Sequence, residues 1–282
     1  DIDATPTGYI TTVLDNQGNQ TATLVASGSN RKYVTINEIP INLQHAFVAI
    51  EDERFYDHNG IDLQGILRAG LKGVASGFHF SEGASTITQQ LLKNTVFTQW
   101  TSEQSMADKF ERKFQEQYLA LQLEKVVDKD WILENYLNAI NLGQNTLGVG
   151  VASERYFGKD VSDLTLSECA VLAAITQSPS YYNPITHPDH NKERRQKVLN
   201  NMLDQGYISQ SEYDEAVADN VYDRIQVVNV ESQDENINSY FVDEMTDQIV
   251  QDMIDRLGYT ETQAYKALYQ GCLLYTSDAA DD

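Results

Sequence analysis

Hydrophobic residues between positions 41 and 222 recur every three or four residues, which is the period of an amphipathic helix. The first such stripe consists of Leu43, Ala46, Phe47 and Ile50. Pro40 precedes them and suits the first turn of a helix. Further helices are predicted to begin at Asp62, at Ser85 or Thr86 and at Ser209, and to cover residues 106–126, 131–142, 165–176 and 194–205. The pattern therefore predicts a mainly α domain.

Several of these helices begin with a residue that can cap them. A capping box pairs a Ser or Thr with a Glu or Gln three residues later. Such pairs stand at the start of three predicted helices: Thr86 with Gln89, Thr165 with Glu168, and Ser209 with Glu212. Asp62 can cap a further helix, whose apolar stripe consists of Leu63, Ile66, Leu67 and Leu71.

The longest predicted helix, over residues 106–126, has a row of large apolar side chains at helical spacing. Its members are Phe110, Phe114, Tyr118 and Leu121. A row of this kind is typical of the buried face of a surface helix. We therefore expect these four side chains to point into the core.

The two ends of the chain have a different texture. Short runs rich in Thr, Val and Ile at residues 9–14 and 21–25, with a turn cluster at 15–19, predict a small N-terminal β-hairpin. Residues 225–230 resemble a strand and 239–256 an acidic helix. We divide the chain into four segments. Residues 1–36 form a hairpin and linker segment, and residues 37–224 form the main domain. Residues 225–270 begin a further linker, and residues 271–282 form a tail that resembles the translation of a sequencing adaptor.

Charge and cysteine content narrow the function. The chain has 42 acidic and 20 basic residues and a formal charge of −22. This charge argues against nucleic-acid binding, which needs a basic surface, and any phosphate-bearing substrate would need a local cluster of cations. The two cysteines show no spacing typical of a metal site or a disulfide framework. No apolar run is long enough to span a membrane.

The first candidate site is the acidic end of the helix that follows Pro40. Glu51 and Asp52 stand there, before a segment typical of a turn. A carboxylate at a helix C-terminus faces the negative end of the helix dipole, which opposes its ionisation and favours a role as a base. The alternative is an exposed acidic helix end.

The second candidate site is a helix N-terminus preceded by small residues. The hydroxyls of Ser85 and Thr86, with free backbone N–H groups, can bind an anion there. Gln90, Lys93 and Asn94 are spaced three and four residues apart and share one face of the helix. A phosphate group could contact all of these groups together. The alternative is an ordinary capped amphipathic helix.

The third candidate site is a pair of opposite charges. Arg112 and Glu116 are four residues apart and lie on the same face of the predicted helix. They could form a surface ion pair of little energetic weight. They could also line a cleft as a cation and a second carboxylate, and the spacing is compatible with both.

In this order the motifs resemble those of the peptidoglycan glycosyltransferases, glycosyltransferase family 51. The motifs are Glu51-Asp52-x-x-Phe55-x-x-His58-x-Gly60, Gly83-x-Ser85-Thr86-Ile87-Thr88-Gln89-Gln90, Arg112-Lys113-x-x-Glu116 and Ile132-Leu133-Glu134-x-Tyr136-Leu137-Asn138. The resemblance spans about residues 36–222 and implies a mainly α, lysozyme-like, two-lobed fold. The flanking segments resemble bifunctional class A penicillin-binding proteins, in which a membrane helix precedes this domain and a transpeptidase follows it. Neither is found here, so a fragment is predicted.

The resemblance implies an activity and catalytic residues. Such enzymes polymerise lipid II, a disaccharide-pentapeptide on undecaprenyl diphosphate, into β-1,4-linked glycan with inversion at the anomeric carbon. Glu51 would be the general base, and Glu116 the second glutamate, on the donor side. Lys93 and Arg112 would hold the diphosphate.

Further residues are assigned to the surroundings of this site. The side chains expected to line the cleft are Ser85, Thr86, Gln89, Gln90, Asn94 and Arg68. The residues expected to have a structural role near it are Asp52, Phe55, His58 and Gly60. His58, in the turn before Gly60, is expected to form a structural hydrogen bond and not to act as a base.

The resemblance also implies partners. These are lipid II, the growing glycan strand and the membrane, the last through a segment absent from this chain; moenomycin is an expected inhibitor. The expected location is the outer face of the bacterial cell membrane, with the fragment itself soluble. No cofactor is required, although a divalent cation, Mg²⁺ or Mn²⁺, could bridge Glu116 and the diphosphate.

Two other functions remain open. A lysozyme-like lytic glycosidase also pairs carboxylates across a cleft, but it has no diphosphate to hold and would not need the polar helix start at Ser85. A non-catalytic scaffold that only binds lipid II or glycan would not need both Glu51 and Glu116. Polymerisation is therefore the favoured prediction.

Overall fold

The computed structural model describes residues 4, 11–14, 20–24, 31–68, 85–97, 106–144, 146–227, 240–259, 264 and 274–276. Within these residues the chain is mainly helical, which confirms the predicted fold class. The helices are α1 (Ile41–Glu51), α2 (Ile87–Thr95), α3 (Met106–Leu123), α4 (Lys129–Ala139), α5 (Val149–Phe157), α6 (Leu166–Ala173), α7 (Pro188–Asp204), α8 (Gln210–Ala218) and α9 (Tyr240–Leu257). Residues 63–68 are also helical. None of the helices in these ranges is long and apolar enough to cross a membrane.

The predicted helix caps are largely present. Thr165 with Glu168 and Ser209 with Glu212 both form complete capping boxes. The third box is only half formed: Thr86 accepts the backbone N–H of Gln89 at 3.2 Å, but the Gln89 side chain does not return to Thr86. Asp62 accepts the backbone N–H of Gly65 at 2.9 Å, as expected of a cap.

The core is built around α1. Leu43, Ala46 and Phe47 are fully buried, as the stripe predicted, and the helix packs against α6 and α7. Phe47 meets Tyr136 of α4 edge to face, with ring centroids 6.2 Å apart. Helix α2 packs against α3 and α4. Because α1 is surrounded in this way, its C-terminal residue Glu51 is brought close to α2, α6 and α7.

The apolar row of α3 does not point into the core, so that prediction was wrong. Phe110, Phe114 and Tyr118 are 61%, 70% and 63% exposed. The buried face of the helix instead carries Glu116, Ala120 and Leu123. On this face the charge of Glu116 is paired by Arg112 and Lys113 of the same helix, and the backbone of Gly60 lies against the backbone of Ala120.

A small sheet lies outside the helical core. β1 (Thr11–Leu14) pairs antiparallel with β2 (Gln20–Leu24), and β3 (Leu274–Thr276) pairs parallel with β1. The turn predicted at residues 15–19 lies outside the described residues, so the hairpin stays a prediction. Leu71, Gly83 and residues 228–239 of the predicted linker also lie outside them, and the proposed domain boundaries remain predictions.

Candidate active site

Glu51 lies at the C-terminus of α1 and is held by side chains from three other parts of the chain. Its side chain is 13% exposed. Oε1 accepts from the hydroxyl of Thr176 and from Nη2 of Arg194, the latter at 3.3 Å. Oε2 accepts from Nε2 of Gln90 at 2.9 Å. The carboxylate is therefore fixed in orientation and not a mobile, solvated helix end.

Thr176, Gln177 and Arg194 belong to the surroundings of Glu51 but were missed from the sequence. Nη1 of Arg194 donates to Oε1 of Gln177 at 2.7 Å, and its guanidinium lies 4.9 Å from the ring centroid of Tyr182. A signal was present in the pattern, because Arg194 occupies a position on the apolar stripe of α7, four residues before the buried Val198. A charged residue on a buried stripe needs a partner.

The turn after Glu51 ties α1 to α2. The Asp52 carboxylate, 2% exposed, accepts the backbone N–H of Ile87 at 2.9 Å and lies 3.0 Å from Nε2 of His58. The backbone N–H of Gly60 donates to Nδ1 of His58 at 3.2 Å, so Nε2 carries the ring proton and donates to Asp52. Phe55 is fully buried beneath this turn. The geometry matches structural roles for these residues.

The start of α2 divides the predicted lining residues into two groups. Thr86 and Gln89 are each 1% exposed, so the expectation that they line the cleft was wrong. Thr86 is turned inward because its hydroxyl donates to the Gly60 carbonyl at 2.7 Å while it caps the helix. Gln90, one residue on, points to Glu51 instead, and Asn94 is half-buried on α2.

Glu116 is fully buried and surrounded by cations. It forms ion pairs with Arg112 and with Nζ of Lys113, the latter at 2.9 Å. The same ammonium donates to Oγ of Ser85 at 2.7 Å, which connects α3 to the start of α2. Lys113 belongs to the motif Arg112-Lys113-x-x-Glu116 but was not predicted from the sequence to be a site residue. The pair Arg112–Glu116 is thus not a surface ion pair.

Lys93 on α2 lies within the electrostatic field of both glutamates. Burial lowers the pKa of its ammonium below the usual value; Glu116 and Glu51 oppose this effect, and the positive charges of Lys113 and Arg112 add to it. Three cations, Lys93, Arg112 and Lys113, therefore surround one buried carboxylate. The excess of positive charge makes this cluster suited to bind an anion.

An open cleft of about 410 Å³ lies in front of Glu51. Its walls contain the predicted residues Arg68, Ser85 and Gln90, with Arg194 and Lys197 from α7. Nη1 of Arg68 pairs with Oε2 of Glu53 at 2.9 Å. The cleft joins the Glu51 carboxylate to Ser85, which in turn touches the cation cluster around Glu116.

The described residues offer little to a resident metal ion. None of their His, Cys, Asp and Glu side chains form a group of three or more that could hold one. Both oxygens of Glu116 already accept from Arg112 and Lys113, whose charges repel a further cation. A divalent cation at Glu116 would have to take most of its ligands from groups other than these side chains.

Comparisons with known proteins match this chain to a protein family and to several relatives. A family model described as Transglycosylase matches residues 17–203 of this chain. Penicillin-binding protein 1A of Clostridium perfringens strain 13 is 40% identical over 272 residues, which is 93% of this chain and 39% of that protein. Penicillin-binding protein 1F of Bacillus subtilis strain 168 is 48% identical over 201 residues, or 71% of this chain and 27% of that protein.

Two further matches involve the same kind of protein. Penicillin-binding protein 1A of Escherichia coli K12 is 46% identical over 182 residues, which is 64% of this chain and 20% of that protein. The crystal structure of penicillin-binding protein 1A from Haemophilus influenzae matches with a TM-score of 0.44 and 22% identity, over 98% of this chain and 27% of that one. The chain thus spans two fifths or less of the length of these relatives.

Proposed function

Because this chain belongs to the transglycosylase family, we propose that its site is a peptidoglycan glycosyltransferase site that polymerises lipid II in cell wall synthesis. The observation that carries the proposal is the position of an oriented carboxylate, Glu51, in a cleft that leads to a cluster of three cations around Glu116. A base and a diphosphate site are the two elements that this transfer requires.

On the acceptor side, Glu51 is the general base. A sugar 4-hydroxyl in the cleft is a poor nucleophile until its proton is removed. The anchored Glu51 carboxylate can accept that proton as the oxygen attacks the anomeric carbon of the donor. Attack from the side opposite the diphosphate inverts the α-linkage to a β-linkage, so a single step accounts for the product.

On the donor side, the cation cluster stabilises the leaving group. Negative charge develops on the diphosphate as its bond to the anomeric carbon breaks, and fixed cations lower the energy of that state. Lys93, Arg112 and Lys113 supply the charge, and Ser85 supplies a hydroxyl. Glu116 holds two of these cations in place and keeps the cluster from repelling itself.

The exposed apolar row of α3 supports a location at a membrane. Phe110, Phe114 and Tyr118 form a solvent-facing row, and Leu63 and Leu67, at 74% and 65% exposure, add to the apolar surface of the described residues. Large exposed apolar side chains of this kind are suited to the lipid interface. The proposed substrate carries a polyprenyl chain that stays in the bilayer, so we place the site at the outer face of the bacterial cell membrane.

The alternative is a lytic glycosidase on the same polymer. Such an enzyme needs two carboxyl groups able to act on one glycosidic bond. Here both oxygens of the fully buried Glu116 are engaged by cations, so this group is poorly suited to donate a proton. The polymerase is therefore the better reading of the geometry.

The test is polymerisation of purified lipid II by the purified protein, resolved on a gel. We compare the wild type with Glu51→Gln and with Glu193→Gln, the same substitution at an exposed position of α7. Long glycan is expected from the wild type and from Glu193→Gln, and none from Glu51→Gln. Polymer from Glu51→Gln would remove Glu51 from its role. Release of fragments from preformed glycan would support the glycosidase.

Two additions to this assay test the proposed ligands. Moenomycin is expected to bind the folded protein and to stop polymerisation, and it would not inhibit a glycosidase. Chelation of divalent cations is expected to slow polymerisation if Mg²⁺ or Mn²⁺ joins the diphosphate to the site. Unchanged rates in excess chelator would show that the cations Lys93, Arg112 and Lys113 suffice.

A further inference from the structure

We propose that Thr176 and Arg194 are positioning residues that hold Oε1 of Glu51, so that Oε2 is the atom that takes the proton from the acceptor hydroxyl. The inference rests on the proposed function, since it concerns how the base of that reaction is oriented. It assigns a task to two residues that lie in none of the four sequence motifs.

The two carboxylate oxygens of Glu51 accept different numbers of hydrogen bonds. A carboxylate oxygen has two lone pairs in its plane. Oε1 uses both, because it accepts from the Thr176 hydroxyl and from Nη2 of Arg194. Oε2 accepts one hydrogen bond among the described residues, from Nε2 of Gln90. One lone pair of Oε2 is left for an incoming hydroxyl.

The Arg194 side chain is held in place by several contacts. It is 9% exposed, its Nη1 donates to Gln177, and its guanidinium lies over the ring of Tyr182. A buried guanidinium is costly unless it is paired. Among the described residues the carboxylate paired with Arg194 is Glu51. The ion pair with Glu51 offsets the cost of burying this side chain and keeps the guanidinium in place.

Other charged and titratable groups also face Glu51, but from different directions. Lys93 approaches from α2, the Tyr136 phenol from α4, and Lys197 of α7 lies with Arg68 in the cleft wall. Arg194 is the group among these with a direct ion pair to Glu51. Thr176, in the turn that follows α6, supplies the second donor to the same oxygen.

In the transfer step, the acceptor 4-hydroxyl gives its proton to Oε2 while its oxygen forms a bond to the anomeric carbon of the donor. The bond from that carbon to the diphosphate breaks, and its electron pair leaves with the diphosphate. Glu51 is then a neutral acid with its proton on Oε2, and water removes that proton before the next addition.

The test compares pairs of variants in steady-state polymerisation of lipid II. Thr176→Val removes the hydroxyl at constant volume, and Thr176→Ser keeps it. We expect Thr176→Val to lower kcat about tenfold with little change in KM, because a misoriented base affects the transition state more than substrate binding. Thr176→Ser is expected to recover most of that loss.

A neighbouring arginine provides the matched control for Arg194. Arg195 is also buried on α7, but its Nη2 donates to Ser167 and to the Ala216 carbonyl. Arg194→Ala is expected to lower kcat, and millimolar guanidinium ion is expected to restore part of it. The kcat of Arg195→Ala is not expected to change when guanidinium ion is added. The rates of both variants are first corrected for the fraction of folded protein.

The outcomes separate this inference from the proposed function. Equal losses for Thr176→Val and Thr176→Ser, or no difference between the two arginine variants in the guanidinium experiment, would overturn the positioning role. If Glu51→Gln is inactive in the same assay, the base itself still stands. Polymer from Glu51→Gln would overturn both statements together.

Discussion

Replacement of Gly60 by alanine tests how the motif around Glu51 is held to the rest of the domain. Gly60 has a φ of +90°, where residues with a side chain are strained. A Cβ atom at this position would lie 2.6 Å from the backbone oxygen of Ala120 and 2.7 Å from its carbonyl carbon. The obstacle is the backbone of α3, which cannot move aside as a flexible side chain can.

A second glycine separates the two costs. Gly206, which follows α7, has a φ of +76° and nothing within 4 Å of the Cβ position. Gly206→Ala is therefore expected to lower the free energy of unfolding by about 1 kcal/mol, which is the cost of the left-handed backbone conformation alone. Gly60→Ala carries a similar cost, and the clash with α3 adds about 2 kcal/mol. We expect a loss of about 3 kcal/mol in the free energy of unfolding.

The assay is urea unfolding of the two variants and the wild type, followed by circular dichroism. Gly60→Ala is expected to lower the midpoint about three times as far as Gly206→Ala does, with an unchanged slope. Equal losses for both variants would refute the close approach of Gly60 to α3. Because the Gly60 carbonyl accepts from Thr86 and its N–H donates to His58, we also expect activity per folded molecule to fall.

Three further predictions follow from single side chains. Although burial alone would raise it, a backbone N–H and the cations Lys159 and Arg224 hold the pKa of Glu168 below its usual value. Glu168→Gln should therefore cost about 2 kcal/mol at pH 7, and calorimetry should show the difference from wild type vanish as the pH falls through the lowered pKa. Burial lowers the pKa of the Lys93 ammonium, so diphosphate affinity, measured by calorimetric titration, should decrease with rising pH before an ordinary lysine would lose its proton; an affinity that stays constant until that point would contradict this. Phe114→Ser should change the unfolding free energy by less than about 0.5 kcal/mol, and a larger loss would indicate that α3 is buried after all.

The sequence alone determined the local elements of this protein. The stripe Leu43–Phe47 predicted α1 and its buried face, and the pairs Thr165–Glu168 and Ser209–Glu212 predicted two helix starts that form as expected. These features depend on backbone geometry within one or two turns, so neighbouring residues are sufficient to specify them. The motifs likewise identified Glu51 and Glu116 as candidates, because their residue types and spacing are local properties.

The tertiary structure alone decided which groups meet at the site. Arg194 pairs with Glu51 across 143 residues of chain, and Thr176 reaches it across 125. Lys113 of α3 also donates to Ser85, which lies just before α2, and so connects this segment to Glu116. No pattern of period 3.6 carries such information, because contacts between distant segments depend on how whole helices pack.

The buried face of α3 is a second feature that the sequence alone did not determine. A row of Phe110, Phe114 and Tyr118 is apolar enough to be a core face, and the helical period is correct. The opposite face is buried instead, because two cations pair with Glu116 there and the backbone of Gly60 packs against the backbone of Ala120. Periodicity specifies that a helix has two faces, whereas the neighbours available in three dimensions determine which of them is buried.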